Sequence, residues 1–456
     1  MESNNSTHIH FIAIGGAAMH NLAIALHNKG YKITGSDDEI FEPSRGRLEK
    51  YGLLPTDTGW DKNNIHQGID VVILGMHARK DNPELMEARH LGLKIYSYPE
   101  YVYERTKNKT RVVIGGSHGK TTVTSMIMHV LKKIEMEFDY LVGSLVQGFE
   151  TMVGLSKTSK VAILEGDEYL SSPIDPRPKF HLYHPHIALV TGIAWDHINV
   201  FPTFEEYVKQ FRIFTEKIEP NGHLIYYRND ENLRKISHSV REDITRIPYT
   251  AHKSIIRNNR TYLIAGDNKV EVPFFGKHNM ENLQGAKHVC SLLNINETAF
   301  YEAIRDFSGA GKRLQHIGSH NNRHLYMDFA HSPSKLKATI DAVKSQYPNH
   351  FLVAVMELHT FSSLNKNFLD QYHRSMDRAD LPVVFFNPET VAHKKLEMIT
   401  EHDIKSGFGN KKITVCTQRN DIFHIFESNK QSKTIFLMMS SGNFGGINIE
   451  ALTNYL

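Results

Sequence analysis

The sequence predicts an α/β protein of three domains, and three observations carry that reading. A strand, a glycine turn and a helix follow one another in HIHFIAIGG and MHNLAIALHNKG, which is a Rossmann-like start. The same order begins again, in a different form, at RVVIGGSHGKTTVTSMIMHVLKK. A third series of apolar strands with helices between them fills the last part of the chain. With 456 residues the chain is too long for one ordinary core, and usual domain sizes give about three.

The first domain, residues 1–106, continues from its opening unit through the strand YKITGSD. The strands DVVILGM and LKIYSYPEYV follow, separated by the helical NPELMEARHLG. The polar stretch ERTKNKT marks a boundary near Thr106. In the central domain, residues 107–312, the buried strands KVAILEGDEY and HIALVTGIAWDH end in acidic or histidine residues. Those ends should meet at one edge of a sheet, where α/β proteins bind ligands. The glycine-bearing FSGAGKRLQ marks a second boundary near Lys312. In the C-terminal Rossmann-like domain, residues 313–456, HLYMDFAHSP, HFLVAVMEL, LPVVFFNP, KITVCT and KTIFLMMSSGN read as strands of a third sheet.

Composition excludes several classes. Hydrophobic residues at 40% and charged residues at 23% suit a globular protein with buried cores. The start MESNNSTHIHF lacks a basic region followed by an apolar one, and no apolar run approaches the ~18 residues of a membrane span. A cytoplasmic enzyme with no membrane contact is expected. The two cysteines, Cys290 and Cys416, are far apart and suggest buried thiols. A net charge of +3, from 53 basic and 50 acidic residues, is too balanced for a nucleic-acid protein. His181, His184 and His186 in FHLYHPHI converge poorly for a metal and read as packing or surface residues. The sequence carries no signal for oligomeric state.

The strongest motif is Gly116-Ser117-His118-Gly119-Lys120-Thr121-Thr122, set between an apolar strand and a helix. Glycines there let backbone N–H groups close around phosphates; Lys120 supplies charge and Thr121 a hydroxyl for Mg²⁺. The central domain therefore reads as P-loop ATPase-type, with nucleotide phosphates and Mg²⁺ as its expected ligands. Glu165, Asp167 and Glu168 follow the strand VAIL, where a carboxylate can reach a phosphate-bound metal. His197 ends another strand and is a candidate second ligand. Asn279 and Asn282 open a helix, where they could cap it or read an adenine edge. Lys312 and Arg313 form a basic pair at the domain boundary, and Asp328 and His331 end a strand beyond it. In the first domain, Gly15 and Gly16 with Asp37 form a degraded dinucleotide pattern.

Taken in order, IGGAAMHNLA, ITGSD, NPELMEA, GGSHGKTT, EGDEY, DHINVFPTFEEY, FGKHNMEN, GAGKR, DFAHSP and SSGNFGG resemble the Mur ligase family across all three domains. The resemblance implies a first domain that binds a UDP sugar, a middle one that binds ATP and a third that closes over both. It implies activation of a carboxylate as an acyl phosphate, then attack by an amine. Lys120 would then hold phosphates, Thr121 and Glu165 one Mg²⁺, and His197 a second. Asn279 and Asn282 would meet adenine, Arg313 the γ-phosphate, and Asp328 with His331 the nucleotide. Gly16, Ala18 and Asp37 would contact the UDP sugar.

Two features bear on the partners. The resemblance points to the branch using UDP-N-acetylmuramate, whose alanine-adding members carry an HRYxR stretch after a third-domain strand. Here His359 is followed by Thr360, Phe361, Ser362 and Ser363, without either arginine, and FGGI near the C-terminus resembles the tripeptide ligases. The expected amine is L-alanyl-γ-D-glutamyl-meso-diaminopimelate, in peptidoglycan recycling, with L-alanine the alternative. A nucleotide-gated P-loop binding protein is the alternative of another class. Departures from the family pattern are His20 and Asn21 in the sugar loop, and ELHTFSSLN in the third domain.

Overall fold

The computed structural model describes residues 7–195, 200–309, 311 and 313–456. It divides into two compact units. One runs to Thr250 and includes Glu281–Ala303; the other holds Ala251–Met280 and the chain from Ile304 to Leu456.

The first unit contains two sheets. The N-terminal one is parallel, in the order Lys32–Ser36, His8–Ile12, Val71–Leu74, Lys94–Ser97. Helix Ala17–His27 follows the first strand directly, as the glycine turn predicts. The segment YSYPEYV departs from its expected strand: Lys94–Ser97 is short, and Tyr98–Thr106 is a helix. Ser97 and Glu100 form a reciprocal capping box there, and Pro99 costs nothing in a first turn whose N–H groups have no partner in the helix.

The seven-stranded central sheet runs Thr245–Tyr249, His223–Tyr227, Ile187–Val190, Thr110–Gly115, Val161–Glu165, Asp139–Leu141, Val153–Gly154. All its pairings are parallel except the last. Its three middle strands are almost wholly apolar, and their carboxyl ends lie side by side. Arg111, 1% exposed, anchors the start of Thr110–Gly115. Its guanidinium donates to the carbonyls of Lys107 (2.6 Å), Tyr183 (2.8 Å) and His184 (2.9 Å) and to Glu219 Oε1 (2.7 Å). A buried charge is tolerated only when its donors are satisfied in this way.

The second unit holds a three-stranded antiparallel meander, Ser254–Arg257, Arg260–Ala265 and Asn268–Val272. Its six-stranded sheet runs Gln315–His320, Arg323–Asp328, Thr434–Met439, Phe351–Glu357, Leu381–Phe385, Thr414–Cys416. The first pair is a hairpin turning at Asn321 and Asn322, both with positive φ; the other pairings are parallel. Inserting Thr434–Met439 between earlier strands brings Asp328, Glu357 and Ser440 to one edge.

The histidines of FHLYHPHI are structural. His181 shares a 2.8 Å hydrogen bond with Gln210 O, and His186 Nδ1 accepts from Arg111 N at 3.2 Å. Burial pushes the imidazoles of His181 and, in the second unit, His324 down to about 4. The unfolded chain takes up these protons near pH 6.5, so stability present above that pH is lost as pH falls towards 4. Among the described residues His324 Nδ1 is buried without a hydrogen-bond partner. His324→Phe is expected to remove about 1–2 kcal/mol of the stability loss between pH 7 and pH 5. Urea unfolding at the two pH values measures it, and an unchanged loss would show that His324 is not a source of the acid sensitivity.

Candidate active site

The phosphate-loop motif closes by steric necessity. Gly116 has φ 127°, and a Cβ on it would lie 2.1 Å from Thr191 Oγ1 and 2.9 Å from Thr191 N. Only glycine lets the loop pass this close to the end of the neighbouring strand. Gly119, at φ 79°, precedes helix Lys120–Lys133 and offers no side-chain cap, which leaves the helix start in the form that suits an anion. Asn282 lies beside it: a Cβ on Gly119 would fall 2.3 Å from Asn282 Oδ1.

Lys120 folds back over this loop. Its ammonium donates to Gly116 O at 2.7 Å and to Glu168 Oε2 at 2.6 Å. Burial alone would lower its pKa, but Glu168, with help from Asp167, holds it above the usual lysine value. Glu168, 1% exposed, also accepts from Tyr207 Oη at 3.0 Å. Tyr207 Oη lies 2.8 Å from Ser117 Oγ, which accepts from Ala194 N at 2.9 Å. His118 Nδ1 lies 2.7 Å from Ser117 O, and Thr191 Oγ1 donates to His118 O. Thr122 is buried in the first helical turn.

Thr121 Oγ1 donates to Glu165 Oε1 at 2.8 Å, and Gly143 N donates to Glu165 Oε2 at 2.6 Å. A hydroxyl and a carboxylate side by side at an amide-lined loop are the hard oxygen donors that suit Mg²⁺. Asp167 pairs with Lys179 at 2.5 Å. Burial works to raise its pKa, and the ammonium wins, leaving it below the usual carboxylate value. His197 and Lys312 lie outside the described residues.

At the first sheet, Gly16 precedes helix Ala17–His27 without a side-chain cap, and Ala18 is half-buried in its first turn. Asp37 turns inward. Its carboxylate accepts from Gly15 N (2.7 Å) and Asp38 N (3.0 Å), and burial raises its pKa to about 6. It shapes the glycine turn directly. The unusual His20 and Asn21 bind the first helix to its surroundings. His20 Nδ1 lies 3.0 Å from both Gly16 O and Ser44 Oγ. Asn21 Oδ1 accepts from Arg47 Nη2 (3.1 Å) and Met152 N (2.9 Å).

The remaining expected residues divide between the units, because the unit boundary passes through helix Lys277–Leu292. Asn282 belongs to the first unit and Asn279 to the second. Asn279 Nδ2 donates to Phe275 O at 2.8 Å. Asp328 accepts from Leu314 N (2.6 Å), Ala330 N (2.8 Å) and Thr339 Oγ1 (3.3 Å), fastening the residue after Arg313 to the strand end. The Arg313 guanidinium sits 4.5 Å from the Phe329 ring centre. His331 Nδ1 is 2.9 Å from Phe329 O. Sequence reasoning gave Tyr207 no role; its only signal was its place as the last residue of DHINVFPTFEEY, in the first turn of helix Phe204–Glu216.

A P-loop on a parallel sheet, with a Rossmann-like sheet on either side of it in the chain, defines a three-domain nucleotide-dependent α/β enzyme. Family models match along the chain: "Mur ligase family, catalytic domain" at residues 8–110, "Mur ligase middle domain" at 114–290 and "Mur ligase, glutamate ligase domain" at 312–442. UDP-N-acetylmuramate–L-alanine ligase of Caldicellulosiruptor bescii is 31% identical over 392 residues, covering 82% of each chain. The fold is shared with UDP-N-acetylmuramate–alanine ligase of Thermotoga maritima, at TM-score 0.70 and 19% identity over 98% of this chain and 97% of that one. It is shared also with the murein peptide ligase of Psychrobacter arcticus, at TM-score 0.64 and 21% identity over 98% and 99%. The chain belongs to the Mur ligase family and is an ATP-dependent ligase that forms amide bonds.

Lys120→Ala strands the buried Glu168 carboxylate and is expected to cost about 3 kcal/mol of stability. Adding Glu168→Gln should restore most of the melting temperature but not ATP binding, measured by calorimetry. Recovery of binding together with stability would remove Lys120 from the phosphate site.

Proposed function

We propose that the chain joins the lactyl carboxylate of UDP-N-acetylmuramate to the α-amino group of an L-alanine residue, and that this residue begins L-alanyl-γ-D-glutamyl-meso-diaminopimelate. The carboxylate attacks the γ-phosphorus of ATP, releasing ADP and forming an acyl phosphate. The amine then adds to the acyl carbon, and the tetrahedral intermediate collapses with loss of phosphate and a proton. Phosphoryl and acyl transfer of this kind mainly require positioning and charge neutralisation.

On this reading residues 1–106 take the UDP sugar, through Gly16 and Ala18 with Asp37 holding the turn. Residues 107–312 take ATP, and residues 313–456 close on it. The loop from Gly116 to Thr122 and Lys120 hold phosphates, Asn279 and Asn282 the adenine, Arg313 the γ-phosphate, and Asp328 and His331 the nucleotide from the closing side. Thr121, Glu165 and His197 would hold Mg²⁺, which supplies charge neutralisation to the phosphates. No helix among the described residues is long and apolar enough to cross a membrane, in keeping with an enzyme that draws cytoplasmic ATP and UDP sugar.

One observation supports the peptide amine. The segment after strand Phe351–Glu357 carries no arginine, and its Ser363 hydroxyl is occupied in a local turn, accepting from His359 N (3.1 Å) and Thr360 N (3.0 Å). It offers no guanidinium to hold the carboxylate of a free amino acid. L-alanine itself is the second reading, favoured by the relative at 31% identity, which is named as the alanine ligase.

Phosphate release from ATP with UDP-N-acetylmuramate separates the readings, comparing L-alanine with the tripeptide and checking products by mass. The tripeptide is expected to be preferred by about tenfold or more in kcat/KM, the scale of one well-made charged contact. Preference for L-alanine would keep the reaction and replace the amine. ATP hydrolysis indifferent to both substrates would indicate the P-loop switch instead.

A further inference from the structure

The carboxyl edge of the six-stranded sheet carries donors that the activation chemistry leaves unused. Glu357, 2% exposed, ends its strand there and accepts from Phe444 N at 2.9 Å and from Ser440 Oγ. This inward carboxylate clamps the loop 440–447 over the sheet edge. The loop then turns through three successive left-handed residues, Phe444 (φ 53°), Gly445 (φ 67°) and Gly446 (φ 91°). Gly446 N donates to Asn443 O (2.9 Å) and Oδ1 (3.0 Å). Among the described residues Gly445 N–H has no acceptor, and Ser441 Oγ is buried without a partner.

Arg419 lies against this turn. A Cβ on Gly445 would sit 3.5 Å from Arg419 Cγ and 3.7 Å from Nε, and one on Gly446 would sit 3.6 Å from Nη1. Side chains at 445 and 446 would press on the arginine as well as needing a strained backbone, so the two glycines leave room for its fork. The guanidinium is exposed and makes no ion pair among the described residues. The acid nearest in sequence, Asp421, is committed to the helix start, accepting from Thr417 N (3.1 Å) and Gln418 N (3.0 Å). An unpaired guanidinium beside an unpaired backbone N–H is a donor set for a carboxylate.

We infer that Arg419 and the Asn443–Gly446 turn bind a carboxylate of the amine substrate remote from its nucleophilic nitrogen, and so select a peptide over a single amino acid. This rests on the ligase reading above. It places the cation that the segment 359–363 lacks on a different element of the same unit. A free amino acid carries its carboxylate one carbon from the nitrogen; a tripeptide carries carboxylates further out, which a separate site can read.

The test uses the full chain with ATP, UDP-N-acetylmuramate and either the tripeptide or the same peptide with its carboxylates amidated. Arg419→Ala is expected to raise the KM for the tripeptide about tenfold or more, with kcat changed less than about threefold and the KM for ATP and UDP-N-acetylmuramate unmoved. Arg419→Lys, which keeps charge but loses the fork, should fall between. The amidated peptide should be used equally poorly by wild type and Arg419→Ala. An unchanged tripeptide KM in Arg419→Ala overturns the assignment. So does a rise in the KM for ATP alone, which would make phosphate the anion read there. Wild type with no amine-dependent phosphate release would overturn the ligase reading, and this inference with it.

Discussion

A buried ammonium needs a countercharge, and the central sheet is organised around that need. Lys120 stands at the first turn of its helix, where the backbone N–H groups already repel a cation. It remains charged because Glu168, carried on the loop after the adjacent strand Val161–Glu165, meets it at 2.6 Å. Glu168 accepts in turn from Tyr207, and Tyr207 is tied through Ser117 to the loop that Lys120 closes. The ring of contacts is complete without a ligand. On the proposed reading, phosphates entering the loop would compete with Glu168 for the ammonium, and the anion would gain from helix N–H groups at the start of Lys120–Lys133. The pair is better understood as holding the loop open and charged than as a source of stability.

Topology supplies the rest of the geometry. The strands Thr110–Gly115, Val161–Glu165 and Ile187–Val190 are neighbours, so a glycine turn, an acidic end and Thr191 converge without any long connection reaching in. Arg111 fixes the other end of the first of these strands by gathering carbonyls from the stretch before it and from Tyr183 and His184. One strand is thus fastened at its start by a charge and at its end by a close approach that only glycine permits.

What could be read in the sequence was what is local. The phosphate loop, the apolar strands and the acidic strand ends are contiguous patterns whose physics does not depend on distant residues. The stretch Tyr98–Val102 reads as strand from its apolar residues, which suit either form, and the signal that makes it the start of helix Tyr98–Thr106 is the Ser97–Glu100 box rather than periodicity. The meander over 254–272 gives little signal in the sequence beyond the turn pairs Asn258-Asn259 and Gly266-Asp267, because its strands alternate weakly and bury little. Asp37, Asp328 and Glu165 all sit at strand ends and all accept from backbone N–H groups, but only Glu165 also accepts from the hydroxyl of Thr121 in the phosphate loop. Position alone does not say whether a carboxylate faces a ligand or its own loop. His20 and Asn21 are legible only as oddities, because the partners of Asn21 Oδ1, Arg47 and Met152, lie elsewhere in the chain.

The same contrast explains why identity with relatives and the residues of the third sheet lean towards different amines. Activation of a carboxylate by ATP is one chemistry, and the groups proposed for it are drawn mainly from the central sheet. Recognition of the amine asks only for a cation at the right distance from the nitrogen, and a sheet edge offers several loops that can carry one. A segment such as 359–363 can lose its arginines without disturbing the strands beneath, since Glu357 holds the neighbouring loop through Ser440 and Phe444 rather than through 359–363. On the proposed reading, the choice of amine rests on the few side chains that reach past the sheet edge.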